Sequence, residues 1–238
     1  MEEEIEEKIE VKEEEKIRSE KKIFIPGEAV ASGPAYLPGD NTMRDGKDII
    51  ALKFGFSQIE DRLVKIIPLS GAYIPRRGNI IIGKIIDMYS NGWILDINSP
   101  YDAFLSVVEC KGFIPKKDIE THFNLGDFLI CQIFSVKSTS ADLTMKDRGL
   151  HRVEEGMIME INSNKVPRVI GKQGSMIQLI KDSTGCNIAV GQNGIIWIKG
   201  EKIEKELVAK EAILKITEKS IKEGLTEEIE KFLKSTQK

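Results

Sequence analysis

Val169-Ile170-Gly171-Lys172-Gln173-Gly174-Ser175-Met176-Ile177 is the stretch of sequence that decides the fold of this chain. Two glycines enclose two polar residues, an apolar pair precedes them, and apolar residues follow at helical spacing. Glycine at both ends lets the bare backbone approach a ligand closely, because no Cβ atom holds the ligand away. The amides at the start of the following helix then offer N–H groups to a phosphate. The stretch therefore predicts a loop that lies against a phosphate-bearing strand.

The sequence around this loop predicts a small α+β domain over residues 150–221. Its predicted strands lie at 157–161, 186–190 and 195–198, and its predicted helices at 165–170, from 176 to a stop signal at 183–185, and 201–219. Asn193-Gly194, between the last two strands, is a strong hairpin-turn signal. One apolar face of the last helix is predicted to contain Ile203, Leu207, Ala212, Ile213 and Ile216.

The order strand-helix-helix-strand-strand-helix, together with the G-x-x-G loop, resembles a KH domain of the eukaryotic-type topology. The G-x-x-G loop of KH domains clamps the backbone of about four nucleotides. The resemblance implies a set of RNA-binding residues in and beside the loop, namely Arg168, Ile170, Gly171, Lys172, Gln173 and Gly174.

A nucleotide-binding P-loop is the alternative interpretation of the glycine pair. It requires G-x-x-x-x-G-K-[ST], in which a hydroxyl residue directly follows the lysine. Here Gln173 follows Lys172, and Val166 stands five positions before Gly171. Because two required positions differ, the sequence argues against ATP or GTP binding.

The negative charge is concentrated at the start of the chain. The formal net charge is −3, and residues 1–22 alone contribute −4, from ten Glu against five Lys and one Arg. This composition predicts an acidic flexible tail over 1–22 and leaves a near-neutral remainder of +1. Attraction to phosphate must then come from local patches, and several copies are expected to combine weak sites.

The three cysteines are scattered and form no C-x-x-C pair, so a zinc ribbon, a redox motif and a disulfide framework are disfavoured. The sequence predicts neither a cofactor nor a metal. No apolar run is long enough to span a membrane, and the start is too acidic for a signal peptide. We therefore expect a cytoplasmic protein without a membrane partner.

Residues 23–71 are rich in turn formers, among them Pro26-Gly27, Gly33-Pro34 and Asp45-Gly46. Short apolar pieces lie between them, which predicts a small β-rich domain of short strands and hairpins. A unit of this size with many strand edges usually packs on something larger, so a docking role is expected.

Residues 72–149 predict five strands with spaced glycine landmarks. These are G-x-x-x-x-G-K-I ending at Ile85, G-W-x-L-D-I starting at Gly92, and Gly126-Asp127 before the fourth strand. The pattern resembles an OB barrel of the ribosomal S-one type, which binds oligonucleotides on its second and third strands and nearby loops. Trp93 and Phe104 alternate with apolar neighbours and are expected in the core.

The oligonucleotide face of such a barrel carries stacking rings and cations. We predict its RNA-binding residues to be Tyr89, Phe113, Lys111, Lys116, Lys117 and Lys137. Arg76-Arg77 and Lys146-Asp147-Arg148 stand at the two sequence boundaries of the barrel. They either contact RNA or bridge domains through salt links, and the sequence does not separate these alternatives.

The whole arrangement resembles the S-one/KH cap subunits of the archaeal RNA exosome. The marks are Pro26-Gly27-Glu28, Trp93-Ile94-Leu95-Asp96-Ile97 and Gly191-Gln192-Asn193-Gly194. The last matches the G-x-N-G signature of this family's KH domains, so Gly191, Asn193 and Gly194 are expected to be structural. The resemblance implies single-stranded RNA as ligand, a hexameric ring of RNase-PH-like subunits as partner, and two further copies in a trimeric cap.

In that family the cap has no catalytic residues and guides RNA into a ring that degrades it from the 3′ end by phosphorolysis. One alternative is an S-one/KH factor in a translation or transcription assembly, although such bacterial factors carry two KH domains. An exonuclease with fused domains is disfavoured, because it needs several hundred catalytic residues before them. Residues 222–238 are predicted to be a C-terminal helical tail.

Overall fold

A computed structural model describes residues 22–112, 114–115, 119–218 and 225–236. The chain divides into two compact units, Met1–Gly71 and Ala72–Lys238. The predicted acidic tail lies outside the described residues, apart from its last position.

The first unit is the predicted small β-rich domain. Its strands are β1 (Ile23–Phe24), β2 (Ala29–Ser32), β3 (Leu37–Pro38), β4 (Thr42–Asp45), β5 (Asp48–Ala51), β6 (Gly55–Glu60) and β7 (Leu63–Pro68). They form a four-stranded sheet in the order β1-β6-β7-β3 and a three-stranded sheet in the order β2-β5-β4. The side chains of Phe24, Ala51 and Ile66 form its core, and the buried Thr42 hydroxyl donates to the carbonyl oxygen of Val64 at 3.0 Å.

The second unit begins with a closed five-stranded barrel, as predicted. Its strands are β8 (Ile80–Tyr89), β9 (Gly92–Asp96), β10 (Ala103–Ser106), β11 (Phe128–Val136) and β12 (Ala141–Thr144). Neighbours pair in the order β12-β10-β9-β8-β11, and a further β11–β12 pairing closes the ring. A short helix, α1 (Ile119–His122), lies between β10 and β11, and β13 (Arg152–Val153) extends the sheet beside β11.

Alternation along these strands explains the barrel core. Leu95 and Leu105 are fully buried while their strand neighbours Ile94 and Phe104 are half-buried, whereas β11 is buried without interruption from Leu129 to Cys131. Trp93 is also fully buried, as expected, and its ring meets that of Phe123 edge-on with 5.0 Å between centroids.

The KH domain follows in the predicted element order. Its elements are β14 (Met157–Glu160), α2 (Val166–Ile170), α3 (Ser175–Thr184), β15 (Asn187–Val190), β16 (Ile195–Lys199) and α4 (Ile203–Glu218). The sheet order is β14-β16-β15, with both pairings antiparallel.

The apolar face predicted for α4 is wrong at its first turn. Ile203 is 69% exposed and Leu207 is 49% exposed, while the buried face contains Glu206, Ala209, Ala212, Ile213, Ile216 and Thr217. The cause is a backbone contact at the start of the helix. The Glu206 carboxylate accepts a hydrogen bond from the Gly200 amide at 2.9 Å, and this turns position 206 towards the sheet.

A last helix, α5 (Leu225–Thr236), occupies most of the predicted helical tail. Leu225, Ile229 and Leu233 recur every four residues and are buried in the same cluster as the α4 core. The Lys215 ammonium lies 3.3 Å from the ring centroid of Phe232, across the two helices. This segment is therefore a docked part of the KH core.

Candidate nucleic-acid interface

The G-x-x-G loop is a tight turn between α2 and α3. Gly171 has φ 75° and ψ 176°, and Gly174 has φ 81° and ψ 8°. The turn is held from within, because the Gly171 amide donates to the Pro167 carbonyl at 3.0 Å and the Gly174 amide donates to the Gly171 carbonyl at 3.3 Å. Between them Gln173 adopts φ 52°, a left-handed conformation that is uncommon for a residue with a side chain.

The two glycines differ in their surroundings. A Cβ atom on Gly171 would lie 2.7 Å from the Met176 Cβ, so the first glycine lets helix α3 start close beside α2. A Cβ atom on Gly174 would meet nothing within 4 Å, so the second glycine borders open space. Lys172 and Gln173 are both exposed. The loop thus presents a cation and uncovered backbone to solvent.

The other predicted loop residues lie on α2. Arg168 is exposed and Ile170 is half-buried, one turn before the glycines. Val169 between them is fully buried in the KH core, which fixes the helix that carries both. The structure thus places the loop and its two flanking residues in one continuous segment of the surface.

The second glycine motif, G-x-N-G, is a buried connection between the KH domain and the barrel. Asn193 is fully buried, and its amide nitrogen donates to the carbonyl oxygens of Ile82 at 2.7 Å and Ile97 at 3.0 Å. Its amide oxygen accepts from the Ile82 amide at 3.3 Å. A Cβ atom on Gly191 would lie 2.9 Å from that same amide nitrogen, so glycine is needed for the close approach. Asn193 joins the turn to strand β8 and to the end of β9.

On the barrel surface, Tyr89 is 52% exposed at the end of β8. Lys137 follows β11 and forms an ion pair with Asp142, with 2.9 Å between nitrogen and oxygen. Asp142 stands directly beside Phe104 in the β10–β12 register. The exposed side chain of Lys137 therefore lies over the outer face of the barrel.

Phe104 is a further candidate for stacking with RNA, although the sequence predicted it to lie in the core. It is half-buried on the outer face, where a Cβ atom on Gly92 would lie 2.8 Å from its Cζ. The alternation Ala103 in, Phe104 out, Leu105 in is the signal that could have identified it. Its ring offers a stacking surface beside Lys137.

Lys111 has a different surrounding from the one predicted. Its ammonium donates to the Leu150 carbonyl oxygen at 2.7 Å, which ties the loop after β10 to the segment that enters the KH domain. Phe113, Lys116 and Lys117, the other predicted residues of that loop, lie outside the described residues.

The basic boundary cluster divides into two roles. Lys146 forms an ion pair with Glu109 at 2.9 Å, and hydrogen bonds from Lys146 and then Thr144 lower the pKa of that carboxyl. Arg148 instead lines a cleft between the barrel and the KH sheet. Lys146 is therefore held in an ion pair with Glu109, whereas the Arg148 side chain is exposed to solvent.

Groups suited to metal or thiol chemistry are not assembled. Across the described ranges, no three His, Cys, Asp or Glu side chains converge as a metal site would require. All three cysteines are buried, and burial raises the pKa of Cys110 to about 11 and that of Cys131 further. The helices of the described part are too short or too polar to cross a bilayer.

Comparisons with known proteins agree with this architecture. Residues 156–204 match the family model for the KH domain. The chain is 37% identical over 216 residues to the exosome complex component Rrp4 of Methanothermobacter thermautotrophicus, an alignment that covers 90% of this chain and 68% of the relative. It is 40% identical over 215 residues to Rrp4 of Thermoplasma volcanium, with 90% of each chain covered.

A solved structure extends the likeness to three dimensions. The crystal structure of a candidate exosome complex RNA-binding protein superposes with a TM-score of 0.64 at 35% identity, and covers 70% of this chain and 98% of its own. Sequence identity over nine-tenths of the length thus coincides with a shared fold. The chain belongs to the Rrp4 family of exosome complex components.

Proposed function

We propose that this protein is a non-catalytic RNA-binding subunit of an exosome, which captures single-stranded RNA for degradation from the 3′ end. The observation that carries the proposal is the exposed G-x-x-G loop, with Lys172 and Gln173 open to solvent and α3 starting directly behind it. Single strands leave their phosphates and base faces accessible, and such a loop can hold the backbone without a specific sequence.

The barrel supplies a second contact of a different kind. Tyr89 and the half-buried Phe104 offer ring surfaces, and Lys137 adds a cation that is held by Asp142, the register partner of Phe104. Bases stack on such rings with little regard to sequence, while the cation attracts the backbone. Because Asn193 joins barrel and KH domain through buried hydrogen bonds, the two contacts hold one strand at a fixed separation.

We further propose that three copies form a cap on a hexameric ring of RNase-PH-like subunits, in the cytoplasm. The first unit exposes large apolar side chains, including Ile25 at 59% and Leu37 at 56%, which is the kind of surface that a docking contact covers. Three weak sites on one cap would act together on a single strand. Relatives that carry the exosome name favour this assembly over a translation or transcription factor.

The decisive test replaces both middle residues of the loop, Lys172→Asp with Gln173→Asp. We expect affinity for a fluorescent single-stranded oligoribonucleotide to fall at least about tenfold, because a charge-assisted phosphate contact is lost and repulsion is added. Aspartate tolerates the left-handed conformation of position 173, so folding is preserved. Fluorescence anisotropy measures the affinity.

The matched control is Lys202→Asp with Ile203→Asp, two exposed positions of the same domain with the same total change in charge. It is expected to retain affinity within about twofold, since distant exposed charges are largely screened. Equal loss in both double variants would show that only net charge matters and would overturn the role of the loop. RNA decay by the purified chain alone, with phosphate and Mg²⁺, would overturn the non-catalytic assignment.

A further inference from the structure

A cleft of about 260 Å³ lies in the second unit, between the barrel and the face of the KH sheet that is turned away from α3 and α4. Ile80 and Ile130 line it from the barrel, Asn187 and Trp197 from the KH sheet, and Arg148 and His151 from the segment that joins them. It is separate from the G-x-x-G loop and from the Tyr89 face. Its walls are largely apolar, and three polar side chains line it, those of Arg148, His151 and Asn187.

Two of these polar side chains have no partner in the described part of the molecule. The Arg148 guanidinium makes no hydrogen bond or ion pair there, and the Asn187 carboxamide makes no hydrogen bond. Other cations nearby are paired, since Lys146 meets Glu109 and Arg152 meets Asp127 at 3.1 Å. The unpaired donors of the cleft are thus available to a ligand.

Aromatic rings form the rigid wall of the cleft. His151 stands edge-on to Trp197, with 6.1 Å between ring centroids, and its Nδ1 lies 2.9 Å from the Gly149 carbonyl oxygen. The His151 carbonyl accepts from the Ile130 amide at 2.9 Å, and the Trp197 indole donates to the Glu155 carbonyl at 2.6 Å. Both rings are therefore held in place before any ligand arrives.

Charge differs between the two ends of this wall. On the far side of His151 and Trp197, a second hollow is lined by Glu154, Glu155, Arg152 and Lys199. Both of its cations are already paired, Lys199 with Glu155 and Arg152 with Asp127. A phosphate would find both cations there already paired, whereas the Arg148 guanidinium at the other end is unpaired in the described part of the molecule. The Arg148 end therefore offers an anion the stronger attraction.

We infer that this cleft binds one nucleotide of single-stranded RNA, with a phosphate on Arg148, the base against the His151 ring and the base edge on Asn187. A guanidinium pairs with phosphate in two parallel hydrogen bonds. A carboxamide both donates and accepts, as base edges do, and an imidazole offers a stacking surface. The inference rests on the proposed function and adds a third contact between barrel and KH loop.

The test uses the full chain with the variants Arg148→Ala and Asn187→Ala, and with Arg62→Ala as control. Arg62 is exposed in the first unit and its guanidinium makes no ion pair with the described residues, so the control removes the same charge elsewhere. We expect Arg148→Ala to weaken binding of the oligoribonucleotide about threefold to tenfold. The slope of log affinity against log salt should fall by about 0.7, the value for one phosphate contact on a single strand.

A second readout reports on the base. The chain has two tryptophans, so 5-fluorotryptophan gives two fluorine signals. RNA should shift the Trp197 signal and leave that of the buried Trp93 in place, and Asn187→Ala should reduce the shift. A Trp197 signal that does not shift when RNA is added would overturn the inference.

The outcomes for the two proposals are distinguishable. If the unaltered chain does not bind single-stranded RNA, both proposals fail. A second outcome is that the unaltered chain binds RNA and the variant at 172 and 173 loses affinity, but Arg148→Ala matches Arg62→Ala in affinity and salt slope. In that case the nucleotide site in the cleft is excluded and the proposed function stands. Loss in Arg148→Ala with an unchanged thermal midpoint supports the nucleotide site.

Discussion

Two four-residue motifs with glycine at both ends lie on the same KH domain, Gly171–Gly174 and Gly191–Gly194, and they have opposite environments. In the first, both middle residues are exposed. In the second, Gln192 is exposed but Asn193 is fully buried. Each motif brings backbone close to a partner, since Gly171 admits helix α3 and Gly191 admits strand β8. In both motifs a glycine therefore marks a close approach within the protein, and the motifs differ in their middle residues, which are both exposed in the first, whereas Asn193 is buried in the second.

The buried motif should give the largest effect on stability. Asn193→Ala removes the donor to two buried carbonyl oxygens and the acceptor of one amide, and leaving such groups unpaired costs about 3 kcal/mol. We expect a clear fall in the urea midpoint. Gln192→Ala, one residue away and exposed, should change stability by less than about 0.5 kcal/mol. Similar midpoints for the two variants would show that Asn193 does not hold barrel and KH domain together.

The first glycine of the exposed motif should give the next effect. Gly171 combines φ 75° with ψ 176°, a region that only glycine occupies readily, and an added Cβ would lie 2.7 Å from that of Met176. Gly171→Ala is expected to cost about 2 kcal/mol in unfolding free energy. Gly174→Ala should cost about 1 kcal/mol, because its position is left-handed but spacious. Thermal unfolding of both variants checks this order, and equal losses would contradict it.

The smallest effect concerns the middle of the exposed motif. Gln173 has φ 52° and ψ 27°, and asparagine adopts this conformation more readily than glutamine does. Gln173→Asn should therefore raise stability by about 0.5 kcal/mol. Gln192 is not among the residues with positive φ, so Gln192→Asn should leave the melting temperature unchanged. A gain in the second variant and none in the first would show that backbone conformation does not distinguish the motifs.

The sequence predicted well those elements whose pattern is local. Glycine and Asn-Gly signals lie next to the elements that they delimit. The order of the KH elements and the five barrel strands could therefore be predicted with boundaries close to those observed. For example, β11 starts directly after Gly126-Asp127 and spans Phe128–Val136. The apolar periodicity of α4 predicted Ile203 and Leu207 on the buried face, but both side chains are exposed. The hydrogen bond from the Gly200 amide to the Glu206 carboxylate, six residues later, places Glu206 on the buried face of α4, and apolar periodicity cannot indicate a buried glutamate.

Pairings between distant residues could not be predicted. Lys111 finds the carbonyl oxygen of Leu150, 39 positions away, and only the closed barrel brings them together. The parallel pairing of β3 with β7 and the pairing of β1 with β6 likewise depend on the folded chain. For Arg148 the sequence left two alternatives, RNA or a salt link, and only the folded structure shows that its guanidinium forms no ion pair with the described residues and lines a cleft.

Asn193-Gly194 is also the dipeptide most prone to lose its side-chain ammonia with age, through attack of the glycine nitrogen on the asparagine amide. In the fold, that nitrogen is engaged by the Gly191 carbonyl at 3.0 Å, and the amide is bound on both of its atoms. An unfolded molecule has no such protection. The aspartate or isoaspartate that results carries a carboxylate that can only accept hydrogen bonds at neutral pH, and it would face two carbonyl oxygens that need a donor. Time spent unfolded would therefore produce chemically altered molecules whose native state is less stable.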